Sequence, residues 1–154
     1  MKSIALIHTV KTVANSFEQK LKDYVGEPVK IHNLWDDFLA NNPNEIGEFT
    51  IENRCRLYND IKSAEMTGAD MIVVTCSTLT PVVNMIRPFV RVPLIAIDDA
   101  MGRKAVTCGE RILVLATAGS TEGPMREKLN AEAAKLGKSI QIDGYRNFLF
   151  LNQK

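Results

Sequence analysis

Seven residues, Met71–Ser77 (MIVVTCS), leave little choice of architecture. The run is apolar almost throughout and lacks the alternation of a strand with one wet face, so it needs cover on both sides, as in a parallel sheet. Similar short runs recur along the chain: IALIHT from Ile4, VKIHNL from Val29, VPLIAI from Val92, RILVLATAG from Arg111 and KSIQID from Lys138. Between them lie segments with apolar residues at helical spacing. Val13, Phe17, Leu21 and Tyr24 mark one, stopped by Gly26; Ile51, Cys55, Tyr58 and Ile61 mark one face of another; TEGPMREKLNAEAAKLG, from Thr121, is a third. Thr80-Pro81 reads as an N-cap and first helical residue opening VVNMIRPFV. DDAMGRKAVTCG, from Asp98, reads as a connecting helix, and DDFLANNPNEIGEFT, from Asp36, as a polar loop. Strands alternating with helices predict an α/β fold, a parallel sheet flanked by helices on both faces.

The chain also repeats itself. Ile4–Thr9 (IALIHT) matches Ile112–Thr117 (ILVLAT), and each is followed by a helical segment, a glycine (Gly26, Gly137) and a further strand. The expected organisation is therefore one complete α/β lobe over residues 1–97, a linking helix over 98–109, and the start of a second, similar lobe over 110–154. A duplicate of Cys76 would fall at about position 185, past the last residue.

Composition excludes several functions. A formal net charge of +1 gives no basic footprint for nucleic acid or an anionic membrane surface. No apolar run approaches the roughly 20 residues that span a bilayer. The three cysteines have no paired spacing, which argues for a reducing, cytoplasmic setting and against a disulfide framework. No cysteine or histidine pair has metal-ligand spacing, so no metal is expected. The absence of a Gly-x-Gly-x-x-Gly or Walker sequence speaks against a nucleotide cofactor.

Candidate site residues gather at predicted strand ends. In open parallel sheets ligands bind beyond the carboxyl ends of the strands. Cys76 closes the third strand there, ahead of a helix start whose dipole would favour a thiolate, able to act as base or nucleophile. The competing reading is a buried, inert cysteine. Cys55, mid-helix on the apolar face, is expected in the core, and Cys108 at the amino edge. His8 and Thr9 end the first strand, while Thr117, Ser120 and Thr121 follow the fifth. These hydroxyls, with Ser77 and Thr78, serve either as local caps or as donors to a substrate carboxylate. His8 is either an acid, base or anion contact or a satisfied strand-end histidine. Asp98 and Asp99 most simply cap the linking helix.

GADMIVVTCSTLTPVV, VPLIAIDDAM and GERILVLATAGSTEGPM together resemble the aspartate/glutamate/hydantoin racemase superfamily, particularly its aspartate-racemase-like members. The resemblance runs from the first strand to about Asp143. It implies a cofactor-independent enzyme with two similar lobes, the substrate between them and a cysteine from each lobe on opposite faces of Cα. Cys76 would be the first-lobe acid/base, with Ser77, Thr78, Thr117, Ser120 and Thr121 as substrate contacts.

The matching second cysteine is missing from this sequence, and the tail YRNFLFLNQK does not resemble the family's continuation. Three readings follow: an amino-acid racemase with a substitute acid/base, for which His8 is the titratable group on the correct edge; a non-catalytic binder of a small dicarboxylate or amino acid; or a vestigial half-protein. An incompletely covered second lobe, with the apolar Phe148–Leu151, also predicts a homodimer with exchanged C-terminal segments.

Overall fold

A computed structural model describes residues 1–116 and 119–146. The chain forms two compact units, Met1–Cys76 with Val82–Ile97, and Ser77–Pro81 with the residues from Asp98 on.

The first unit carries a four-stranded, wholly parallel sheet in the order β2-β1-β3-β4. Its strands are β1 (Lys2–His8), β2 (Val29–Trp35), β3 (Met71–Val74) and β4 (Leu94–Ala96). Ala5, Leu6, Ile7 and His8 are buried in succession, so both faces of β1 are covered. That is the demand a continuous apolar run makes. The register pairs His8 with Trp35, Ile7 with Val74 and Val74 with Ala96, so the carboxyl ends finish level along one edge. Three backbone bonds extend that edge: Asp36 N–H to His8 O (2.8 Å), Thr75 N–H to Ile7 O (2.9 Å) and Ile97 N–H to Val74 O (3.0 Å).

The helices follow the predicted order with instructive differences. Helix α1 (Lys11–Val25) ends at Gly26, whose φ of 67° is the left-handed value that glycine adopts freely. Tyr24, predicted on its apolar face, is exposed. The expected polar loop contains α2 (Phe38–Ile46), pinned by the buried Leu39 and closed by Gly47 at φ 85°. Pro43, inside it, has no N–H to donate to the helix.

Helix α3 (Ile51–Met66) opens on a capping box: Asn53 N–H donates to Thr50 Oγ1 (3.3 Å), and Thr50 N–H to Asn53 Oδ1 (3.0 Å). Its inward face is Asn53, Leu57, Ile61 and Ala64; of the expected stripe Ile51, Cys55, Tyr58 and Ile61, Ile61 faces inward and the other three do not. Ile51 is 64% exposed, and Cys55, expected in the core, is exposed too. The two stripes share Ile61 and diverge toward the start of the helix, where packing selects Asn53 and Leu57. The displaced side chains Ile51, Cys55 and Tyr58 line an open apolar groove with Met85 and Phe89.

After β3 the chain makes a 3-10 turn at Ser77–Leu79 before α4 (Thr80–Ile86), and a second turn, Arg87–Phe89, follows. Thr80 is thus already helical rather than a cap, and the predicted helix through Val90 stops at Ile86.

The second unit holds α5 (Asp99–Cys108), β5 (Arg111–Ala116), α6 (Gly119–Lys135) and β6 (Gln141–Arg146), with β5 and β6 paired in parallel. Its core is Val106, Val114, Met125, Leu129 and Ala133. Gly137 (φ 64°) closes α6 as Gly26 closes α1, so the sequence repeat is a repeated strand–helix–strand unit. Strand β6 starts at Gln141, later than predicted. Gly137 N–H and Lys138 N–H still bond Ala134 O and Ala133 O, finishing the helix. Among the described residues no helix is long and apolar enough to cross a membrane. Phe148–Leu151 lie outside the described residues.

Candidate active site at the carboxyl edge

The edge built by β1, β2 and β3 carries His8, Thr9, Asp36, Thr75 and Cys76. Cys76 follows β3 directly after Thr75 and is half-buried. The 3-10 turn that follows replaces the expected helix N-terminus, so the dipole argument for this thiol loses its helix. Its position at the strand end remains. Cys55 lies on α3, and Cys108 ends α5 immediately before β5.

His8 is fully buried and satisfied at both ring nitrogens: Nδ1 lies 2.8 Å from Thr75 Oγ1, and Nε2 lies 3.2 Å from Asn33 Oδ1. Phe17 meets the ring edge-on at 6.0 Å. Burial pushes the His8 pKa below its usual value; the Asn33 hydrogen bond and the Glu18 charge oppose that shift. Thr9 is buried beside it, and its Oγ1 has no hydrogen-bond partner among the described residues. An orphaned buried hydroxyl is costly unless something accepts from it or donates to it.

A carboxyl pair adjoins this edge. Arg56 grips Asp36 through Nε and through Nη2 (3.1 Å to Oδ1), and its guanidinium lies 4.9 Å from the Phe38 ring. Asp36 Oδ1 also accepts from Phe38 N–H (3.1 Å). Asp60, on α3, is pushed up to about 7 by burial, by a hydrogen bond with Asp36 and by that neighbour's charge. Nothing in the sequence spacing flags this pair, because Asp36 and Asp60 come from the end of β2 and the middle of α3.

In the second unit the predicted caps do other work. Thr80 Oγ1 donates to the Asp98 carboxylate (2.9 Å to Oδ1), and burial raises the Asp98 pKa against that bond. Asp99 is buried against Lys128, which also pairs with Glu132 at 3.2 Å. Ser77 and Thr78 sit half-buried in the 3-10 turn. Ser120 and Thr121 occupy the first turn of α6, one exposed and one half-buried, rather than preceding it as caps. Thr117 lies outside the described residues.

The sequence profile described as Asp/Glu/Hydantoin racemase matches residues 4–144. Among solved structures, a candidate Asp/Glu racemase from Yersinia pestis aligns with a TM-score of 0.70 at 25% identity, over 96% of this chain and 66% of that one. An aspartate racemase homologue from Pyrococcus horikoshii gives a TM-score of 0.66 at 17% identity, over 96% and 66%. The glutamate racemase from Aquifex pyrophilus gives 0.64 at 16%, over 98% and 58%. The chain thus spans about three fifths to two thirds of those proteins' lengths. No curated protein sequence matches it.

Proposed function

Because the chain belongs to the Asp/Glu/hydantoin racemase family, we propose that it is a cofactor-independent amino-acid racemase of the aspartate/glutamate type, with Cys76 Sγ as acid/base at the substrate Cα. The observation that carries this reading is the place of Cys76, half-buried at the carboxyl end of β3, on the edge where open parallel sheets take their ligands. The thiolate takes the Cα proton, forming S–H and leaving an electron pair that delocalises into the substrate carboxylate. A proton delivered to the opposite face inverts the centre; return from the same S–H restores it. Hydrogen-bond donors to the carboxylate stabilise the charge that develops. The orphaned Thr9 hydroxyl supports such a contact, and Ser77, Thr78, Thr117, Ser120 and Thr121 belong to the same proposal. It also includes a homodimer in a cytoplasmic setting.

A second reading is binding of a small dicarboxylate or amino acid without turnover, which needs only hydrogen-bond donors such as the buried Thr9 hydroxyl. Cys55 is on a helix and Cys108 precedes the amino end of β5, so neither matches the position of Cys76 at a strand's carboxyl end.

One experiment separates the two readings. Hydrogen–deuterium exchange at Cα in D₂O, across aspartate, glutamate and related acids, is expected for one substrate and is lost in Cys76→Ala. Calorimetric binding of aspartate or succinate with no exchange for any acid would leave the binder.

A further inference from the structure

The hydrogen bonds around His8 form a chain whose direction is set from its outer end. Lys22 Nζ donates to Glu18 Oε1, and Asn33 Nδ2 donates to Glu18 Oε2. These two bonds hold the Glu18 carboxyl below its ordinary range, Lys22 contributing most, so it is a carboxylate and can only accept. Asn33 must therefore turn its NH₂ toward Glu18 and its carbonyl oxygen toward His8. That oxygen also only accepts, so the proton of a neutral His8 ring sits on Nε2. Nδ1 is left with a lone pair, 2.8 Å from the Thr75 hydroxyl. The charged groups identified against the ring are Glu18 and its partner Lys22, both on α1; β2 and β3 present the amide of Asn33 and the hydroxyl of Thr75.

We infer that His8 is a positioning residue: an imidazole locked as the Nε2–H tautomer by the Lys22–Glu18–Asn33 chain, whose Nδ1 anchors the Thr75 hydroxyl and so the strand end that carries Cys76. Full burial keeps the imidazole from acting as an acid or base on a substrate without a rearrangement of the core. The lowered pKa agrees, since it keeps the ring neutral and its Nδ1 lone pair available near neutral pH. Thr75 has an alternative acceptor, Ile7 O at 3.1 Å, which also receives the Thr75 N–H at 2.9 Å. Protonating Nδ1 would reverse the first bond, so that His8 donates to Thr75 Oγ1 and the hydroxyl turns to Ile7 O. The protonation state of a buried ring thus decides which way the hydroxyl next to Cys76 points.

The tautomer lock stands on geometry alone; only its consequence for turnover rests on the proposed racemase reading. Long-range ¹H–¹⁵N NMR on the ¹⁵N-labelled full chain should show His8 as the Nε2–H tautomer at pH 7, titrating below the ordinary histidine range. An Nδ1–H tautomer overturns the lock. Glu18→Gln removes the group that pins the Asn33 amide and should give a mixture of tautomers; an unchanged Nε2–H signal also overturns it. In the Cα exchange assay His8→Asn, whose amide can still meet Thr75, should keep a rate within about tenfold of the native protein with an unshifted acid limb. A loss of about 10²–10⁴-fold, the size expected for removing an acid/base, would make His8 catalytic instead. Should the native protein exchange no substrate at all, the racemase reading fails while the NMR result still decides the lock.

Discussion

At the scale of single residues, burial rather than residue type sets the chemistry. Asp60 binds its proton more tightly folded than unfolded, since its pKa rises from 3.8 to about 7. Its contribution to stability is therefore fully present below pH 3.8 and is lost as pH climbs through about 7. Asp60→Asn, which imitates the protonated acid, should flatten that slope. Above pH 7 it should stabilise the protein by on the order of 1 kcal/mol, a value discounted for partial solvent screening. Urea denaturation at pH 5 and pH 8 reads the difference, and equal pH slopes in the two proteins would refute the raised Asp60 pKa. His8 works in the opposite sense: its folded pKa is depressed, so its contribution holds above the ordinary histidine value and falls away as pH drops below it. The thiols offer a second residue-scale prediction. Cys55 and Cys108 are exposed and should alkylate whether or not ligand is present. Succinate or aspartate should slow labelling at Cys76 only, as peptide mapping after iodoacetamide would show; equal protection at all three, or none, would argue against a site at β3.

At the scale of elements, the face that each helix buries decides the cost of a substitution. Leu57 is fully buried and Ile51 is 64% exposed, although both fit helical spacing. Leu57→Ala should therefore destabilise by about 2–5 kcal/mol, and Ile51→Ala by no more than roughly 0.5 kcal/mol. Comparable losses for both would mean that α3 is turned toward the stripe that the sequence suggested. Helices α5 and α6 are joined by charge as well as by apolar packing. Lys128, 5% exposed, sits between Asp99 and Glu132, and Gly102 makes room for it, since a Cβ there would lie 3.2 Å from Lys128 Cγ. Lys128→Met removes the cation shared by Asp99 and Glu132, leaving Glu132 its ion pair with Lys135 (2.9 Å), and should cost about 3–5 kcal/mol. Adding Asp99→Asn and Glu132→Gln should recover much of that loss, because neutral amides carry no uncompensated charge. A triple variant no more stable than Lys128→Met would show that the network acts through shape rather than charge.

At the scale of the whole molecule, apolar side chains remain uncovered: Leu113 and Leu115 on β5 are 61% and 72% exposed, and Phe89 is 68% exposed. Such surface supports the proposed homodimer, since exposed apolar patches mark association sites. Light scattering at micromolar concentration should find twice the chain mass, and a stable monomer would remove the dimer from the proposal. The sequence by itself determined the order of the strands and of every helix but α2, because short apolar runs such as Met71–Val74, bounded by turn residues and alternating with helical spacing, fit a buried parallel sheet. The glycine stops of α1 and α6, Gly26 and Gly137, and the position of Cys76 past a strand end were legible for the same local reason. Only the tertiary structure decided which residues of α3 face inward, that Leu39 pins a helix in an apparent loop, and that Asp98 and Asp99 bond Thr80 and Lys128. It alone placed His8 among Thr75, Asn33 and Glu18, and Asp36 beside Asp60. Periodicity and capping depend on neighbours a few residues apart, which a sequence displays directly. The burial of a polar group and the identity of its partner depend on residues tens of positions away, and these meet only when the sheet sets their register.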